Sequence, residues 1–171
     1  MNIPFTANNA EAMVAFLQDL VRIPSLSTHE QSVAMRMGEE MQRLGFAEVW
    51  TDRIGNVIGR IGSGAGSTMV LDGHMDVVDV GDLSRWSRPP YGGEIQSGVL
   101  YGRGTCDMKG GLAAMVYSVK TLLDAGVELA GNLYVVGVVQ EEPCEGFAIQ
   151  TLIEEEGIQP DYVILGEPSN L

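Results

Sequence analysis

Four times along this chain an apolar or glycine-rich stretch stops and a histidine or carboxylate follows at once. Val70-Leu71 leads to His74 and Asp76, and Tyr101-Gly-Arg-Gly-Thr-Cys leads to Asp107. Val138-Val139-Gln140 leads to Glu141 and Glu142, and Val163-Ile-Leu-Gly leads to Glu167. The apolar runs have the length of buried strands. In open α/β sheets, ligands bind beyond the carboxyl ends of the strands. Strands ending on the same side would therefore bring one imidazole and several carboxylates together.

The rest of the pattern is consistent with such a sheet. Met13, Phe16, Leu17 and Leu20 repeat at helical spacing, which predicts a helix over 9–23 with Asn9 as its cap and Pro24 as its end. Val33, Met37, Met41 and Leu44 predict a second helix starting after Ser27 or Thr28 and stopped by Gly45. Strands are expected at 48–52, 56–61, 68–71, 132–139 and 162–165, with 68–71 and 162–165 as buried strands and 132–139 as a continuous apolar one, and with a small hairpin at 94–95 and 99–101. Helices are expected at 108–123 and 145–156. The expected fold is α/β: three layers, α/β/α, around a central mixed, largely parallel sheet covered on both faces. No linker divides the 171 residues, so one domain is expected.

Composition excludes several functions. The net charge is −13, with 10 Lys and Arg against 23 Asp and Glu. A nucleic-acid interface needs clustered positive charge, so none is expected. No apolar run approaches the roughly 20 residues that span a bilayer, so no membrane is expected as partner. Met1 to Thr6 has no basic or apolar leader pattern, which makes the cytoplasm the expected compartment. Gly62-Ser-Gly-Ala-Gly-Ser67 lacks the ending of a phosphate-binding loop and reads as a turn.

Clustered carboxylates repel one another, and a bound divalent cation resolves that repulsion. A mixed imidazole and carboxylate set suits zinc, with cobalt or manganese as alternatives, better than calcium. A two-metal site with centres about 3.5–4 Å apart needs a bridging carboxylate. Asp107, short and lying between glycine-rich backbone and a helix start, is the candidate. His74 and Asp76 lie at i and i+2, on one face of an extended segment, so Asp76 is expected to accept from the second imidazole nitrogen. Adjacent Glu141 and Glu142 would point opposite ways, one toward the metals and one toward substrate as general base.

Other polar residues carry weaker signals. His29 reads as surface or capping context in Ser27-Thr-His-Glu30. Lys109 either holds the Asp107 loop or is an exposed helix-start lysine. Trp50 and Trp86 read as packing residues. Arg85 and Arg88 either meet an anionic substrate or are solvated. Cys106 and Cys144 are too few for a disulfide scaffold and suggest a reducing compartment. They read as semi-buried packing residues, or as a thiol pair close to the metals. A thiol hydrolase built on either of them would need a partner histidine, and only His29 is spare.

Gly73-His-Met-Asp-Val-Val78, Tyr101-Gly-Arg-Gly-Thr-Cys-Asp-Met-Lys-Gly-Gly111, Gln140-Glu-Glu-Pro-Cys-Glu-Gly146 and Gly166-Glu-Pro-Ser169 resemble the motifs of the co-catalytic zinc aminoacylase/carboxypeptidase family. That family includes acetylornithine deacetylase and succinyl-diaminopimelate desuccinylase. The resemblance implies a zinc-exopeptidase-like catalytic domain with two divalent ions. By it, His74 and Glu167 would hold one ion, Glu142 the other, and Asp107 would bridge them. Glu141 would be the general base, Asp76 would support His74, and the Asp107–Met108 peptide would be cis.

Glu at position 167 tilts the implied reaction toward hydrolysis of N-acyl amino acids, with dipeptidase or carboxypeptidase activity as the alternative. The family's chains are longer than this one. The resemblance therefore implies that residues 1–171 are the N-terminal portion of one metallohydrolase catalytic domain. A lid or dimerisation domain and a closing segment with a final metal-binding histidine would be absent, and the full-length protein would form a homodimer. A non-catalytic or impaired metal-binding fragment is the remaining reading.

Overall fold

The computed structural model describes residues 3–62, 64–144 and 146–169. Helix α1 spans Ala7–Arg22. Its cap is Thr6, whose hydroxyl accepts from the Asn9 amide, and not the expected Asn9. The Asn9 side chain reaches Asp124 instead. Helix α2 spans Gln31–Leu44 and stops at Gly45, which adopts φ 92° in the left-handed region that glycine enters freely. Helix α3 spans Gly110–Asp124, and α4 spans Phe147–Glu154. The expected 145–156 helix is thus trimmed at both ends, and Glu145 lies outside the described residues. The start of the expected 108–123 helix is instead a kinked turn, Thr105–Lys109, in which Asp107 and Met108 lie off helical geometry.

Among the described residues seven strands form: β1 Glu48–Thr51, β2 Val57–Gly62, β3 Thr68–His74, β4 Glu94–Gln96, β5 Val99–Tyr101, β6 Asn132–Val138 and β7 Tyr162–Leu165. β4 and β5 make the expected hairpin. The other five form one sheet in the order β1-β2-β6-β3-β7. The β1–β2 and β2–β6 pairs are antiparallel, and the β6–β3 and β3–β7 pairs are parallel. The sheet is therefore mixed, and its parallel character is confined to the half that carries the polar strand ends.

One face packs on the three long helices through residues such as Phe16, Leu20, Met37, Met41, Leu112 and Val116, all essentially without solvent exposure. The other face packs on α4 through Ile58, Val70, Val136, Val138, Ala148 and Leu152. This is the expected α/β/α layering.

The exception is β7. Its apolar residues predict a buried strand, yet all four are exposed, Leu165 by 63%. β7 pairs with β3 alone, so it is the sheet's outer strand on that side. Hydrophobicity shows that a strand is suited to burial, not which neighbour covers it.

Candidate metal centre

β3, β6 and β7 run parallel, so their carboxyl ends lie on one side, as the sequence pattern requires. β3 continues past Leu71 to His74, longer than expected. His74 is 1% exposed, and its Nε2 lies 2.9 Å from Asp107 Oδ1 and 3.8 Å from Glu167 Oε1. Two sets of potential metal-ligand atoms share this imidazole. One is His74, Asp107 and Glu142; the other is His74, Glu141 and Glu167, and within each set the atoms lie within 4.8 Å of one another.

The Asp107 loop is seated by close contacts. A Cβ at Gly73 would meet Met108 Cε at 2.5 Å, so glycine lets the loop pack directly on β3. Gly104 takes φ 80°, and a Cβ there would meet Val77 at 2.7 Å. The Asp107–Met108 peptide is cis, as the resemblance implies. Lys109 is completely buried, and its ammonium donates to the carbonyls of Leu20 and Ile23 at 2.9 Å. It therefore ties the loop to the end of α1, where helix carbonyls lack partners, and is not an exposed lysine.

Asp76 departs from the expected contact. His74 Nδ1 meets the backbone carbonyl of Asp76 at 2.9 Å, and the nearer carboxylate oxygen lies at 3.6 Å. β3 ends at His74, so strand spacing no longer governs Asp76. The fully buried carboxylate accepts the Glu141 amide at 3.1 Å, the Glu142 amide at 3.3 Å and the Ser27 hydroxyl at 2.6 Å. Glu141 and Glu142 lie in a turn and not in extended backbone. They still diverge, Glu141 toward Glu167 and Glu142 toward Asp107.

The electrostatics follow from this crowding. Burial disfavours charge on His74, but its contacts with Asp76 and Asp107 outweigh that and push the imidazole up to about 10. Burial and neighbouring carboxylates raise Glu141 and Glu142, with His74 opposing. Asp72, two residues before His74 on β3, is pushed up to about 7 by burial and then by Glu167. Its Oδ1 has no hydrogen-bond partner. Among the described residues, no lysine or arginine pairs with Asp107, Glu141, Glu142 or Glu167.

Residues outside this cluster are resolved as well. His29 is exposed and contacts Ser27 and Thr28. Trp50 and Trp86 pack, donating to Glu156 and to the Val80 carbonyl. Arg88 stacks on Tyr101, and Arg85 is exposed. Cys106 and Cys144 are free and exposed, not the semi-buried packing residues expected. Sequence reading missed Ser27, Glu30 and Asp72. Ser27 and Glu30 have the Ser-x-x-Glu spacing of a helix cap, yet Ser27 turns to Asp76 and Glu30 to Gln140.

Comparison with known proteins gives one consistent result. The model of peptidase family M20/M25/M40 matches residues 70–171. The chain is 42% identical to the uncharacterized protein YgeY of Escherichia coli (strain K12), over 99% of this chain and 43% of that one. It is 34% identical to a succinyl-diaminopimelate desuccinylase of Methylorubrum extorquens (strain PA1), over 92% of this chain and 43% of that one. The chain thus spans less than half the length of these relatives. Among solved structures it is similar to an M20 family metallo-carboxypeptidase of Sulfolobus solfataricus. The TM-score there is 0.77 at 26% identity, covering 94% of this chain and 37% of that one. With its motifs, strand ends and fold in agreement, the chain belongs to peptidase family M20/M25/M40.

Proposed function

We propose that this chain carries the metal centre of a hydrolase that cleaves the amide bond of N-acyl amino acids or small peptides. One observation carries the reading: a buried imidazole faces two carboxylate sets, and among the described residues no lysine or arginine pairs with them. The donor set fits divalent metal, since nitrogen and oxygen ligands gather within 4.8 Å and the neighbouring carboxyls are raised. His74, Asp107, Glu142 and Glu167 would hold two divalent ions, with zinc, cobalt or manganese as candidates.

When bound, such ions polarise the acyl carbonyl and make water a better nucleophile near neutral pH. Glu141 takes the proton of the attacking water and passes it to the leaving amine. Its raised pKa suits that exchange, because a base works best with a pKa near the operating pH. Asp76 holds the backbone of Glu141 and Glu142 in place.

The desuccinylase named among the relatives favours N-acyl amino acids as substrates, and the carboxypeptidase neighbour keeps small peptides as a second class. Residues 1–171 form the N-terminal portion of the catalytic domain in this reading. Exposed β7 supports it. So does an apolar cavity of about 380 Å³ lined by Val70, Val136, Val138, Leu152, Val163 and Leu165, a surface that further chain would cover. Among the described residues no helix is long and apolar enough to cross a membrane. A cytoplasmic homodimer is the proposed whole protein. In it, Glu141→Gln should lower hydrolysis of N-acetyl or N-succinyl amino acids by about 10²- to 10⁴-fold, with metal content unchanged. Loss of metal together with turnover would refute Glu141 as the base.

A further inference from the structure

Beyond Val138 the chain leaves the sheet, and four successive amides find side-chain acceptors. Val139 donates to Asn56 Oδ1 at 3.0 Å, and Gln140 to Glu30 Oε1 at 2.9 Å. Glu141 and Glu142 donate to the two oxygens of Asp76. Asn56, Glu30 and Asp76 come from three separate parts of the chain. Gln140 is the residue of least ordinary conformation here, with φ 56°, where a residue bearing a Cβ is uncommon. It lies immediately before the two glutamates.

Glu30 is 4% exposed and precedes α2, where a side chain ordinarily caps its own helix. It makes no such cap bond. Its carboxylate instead reaches across 110 positions of sequence to Gln140. An amide bond to a charged acceptor is stronger than one to a neutral acceptor, and burial strengthens it further.

We infer that Glu30 is a positioning residue for the Glu141–Glu142 pair, holding Gln140 in its left-handed conformation so that the two side chains diverge to opposite sides of His74. This rests on the metal reading for its consequence, but not for the contact itself. Asp76 alone cannot do the work, since it fixes the amides that follow the reversal and not the reversal at Gln140. Among the described residues the Glu30 side chain makes no hydrogen bond to His74, Asp107, Glu142 or Glu167, so its influence passes through the Gln140 backbone.

Two substitutions separate positioning from helix capping. Glu30→Asp keeps the charge and improves the cap but shortens the reach; Glu30→Gln loses the charge but keeps an oxygen at the same distance. In the metal-free chain, Glu30→Asp should speed hydrogen exchange at Gln140, Glu141 and Glu142 by about 10- to 100-fold, with melting temperature unchanged or raised. Glu30→Gln should speed exchange less than Glu30→Asp does, because a neutral oxygen at the same reach still accepts, though more weakly than a carboxylate. In a Co²⁺ titration followed by absorbance, Glu30→Asp should weaken binding about tenfold, and adding Gln140→Gly should recover part of that loss, because glycine adopts the conformation unaided. Wild-type exchange in Glu30→Asp, with fast exchange in Glu30→Gln, would overturn the inference and assign Glu30 to the helix end. The exchange pattern decides this whatever Co²⁺ does; failure of the wild-type chain to bind Co²⁺ would overturn the metal reading alone.

Discussion

Two carboxylate assemblies among the described residues are built oppositely: one is buried, and the other opens to solvent at Asp107 and Glu167. Glu40, on α2, is 2% exposed. It receives Arg36 at 2.9 Å, Arg43 at 2.5 Å and the Tyr117 hydroxyl at 2.6 Å. Burial raises its pKa, but those three partners outweigh burial and hold it below the usual value. At the other assembly one imidazole faces the carboxylates of Asp76, Asp107, Glu141, Glu142 and Glu167, and Glu141 and Glu142 are shifted upward. The first assembly carries its own cations and is complete. The second gathers more carboxylate charge than its one imidazole offsets, which is expected of a site built to receive a cation.

The comparison can be broken first at Glu40. Glu40→Gln should cost about 2–3 kcal/mol at pH 7, read from denaturant unfolding, because Arg43 loses its charged partner and Arg36 keeps only Asp19. The folded pKa of Glu40 is depressed, so its contribution is present above the unfolded value of 4.5 and lost as pH falls through the folded pKa. The difference between variant and wild type should therefore shrink in acid, with metal binding unaffected. A pH-independent cost would mean that packing, not charge, explains Glu40.

The contrast sharpens with Asp76→Asn. An amide group accepts fewer hydrogen bonds from the Glu141 and Glu142 amides and places a donor near them. Metal affinity should fall about 10- to 100-fold, measured by competition with a chromophoric chelator. An unchanged affinity would detach Asp76 from the site.

Much of this was legible in sequence, because local physics decided it. Gly45 stopped α2 where the apolar stripe ended, and the strand ends carried His74, Glu141, Glu142 and Glu167 to one side of the sheet. What was illegible depends on distant partners. Lys109 could be exposed or buried until the carbonyls of α1 were in place. Glu30 carried no signal of its own because its partner lies 110 positions away. β7 looked buried because its composition says nothing of what lies beyond the sheet edge. The Asp76 contact failed for a local reason, since strand alternation was carried past the last strand residue.

The most direct test is calorimetric titration of the 171-residue chain with Zn²⁺ near pH 7, alongside Glu40→Gln and His74→Ala. Wild type and Glu40→Gln should bind saturably and identically, with protons released from the imidazole. His74→Ala should bind far more weakly, since it removes the one nitrogen donor of the cluster. Saturable Zn²⁺ binding of wild-type strength in His74→Ala, or none in the wild type, would contradict the claim that this cluster is built for metal.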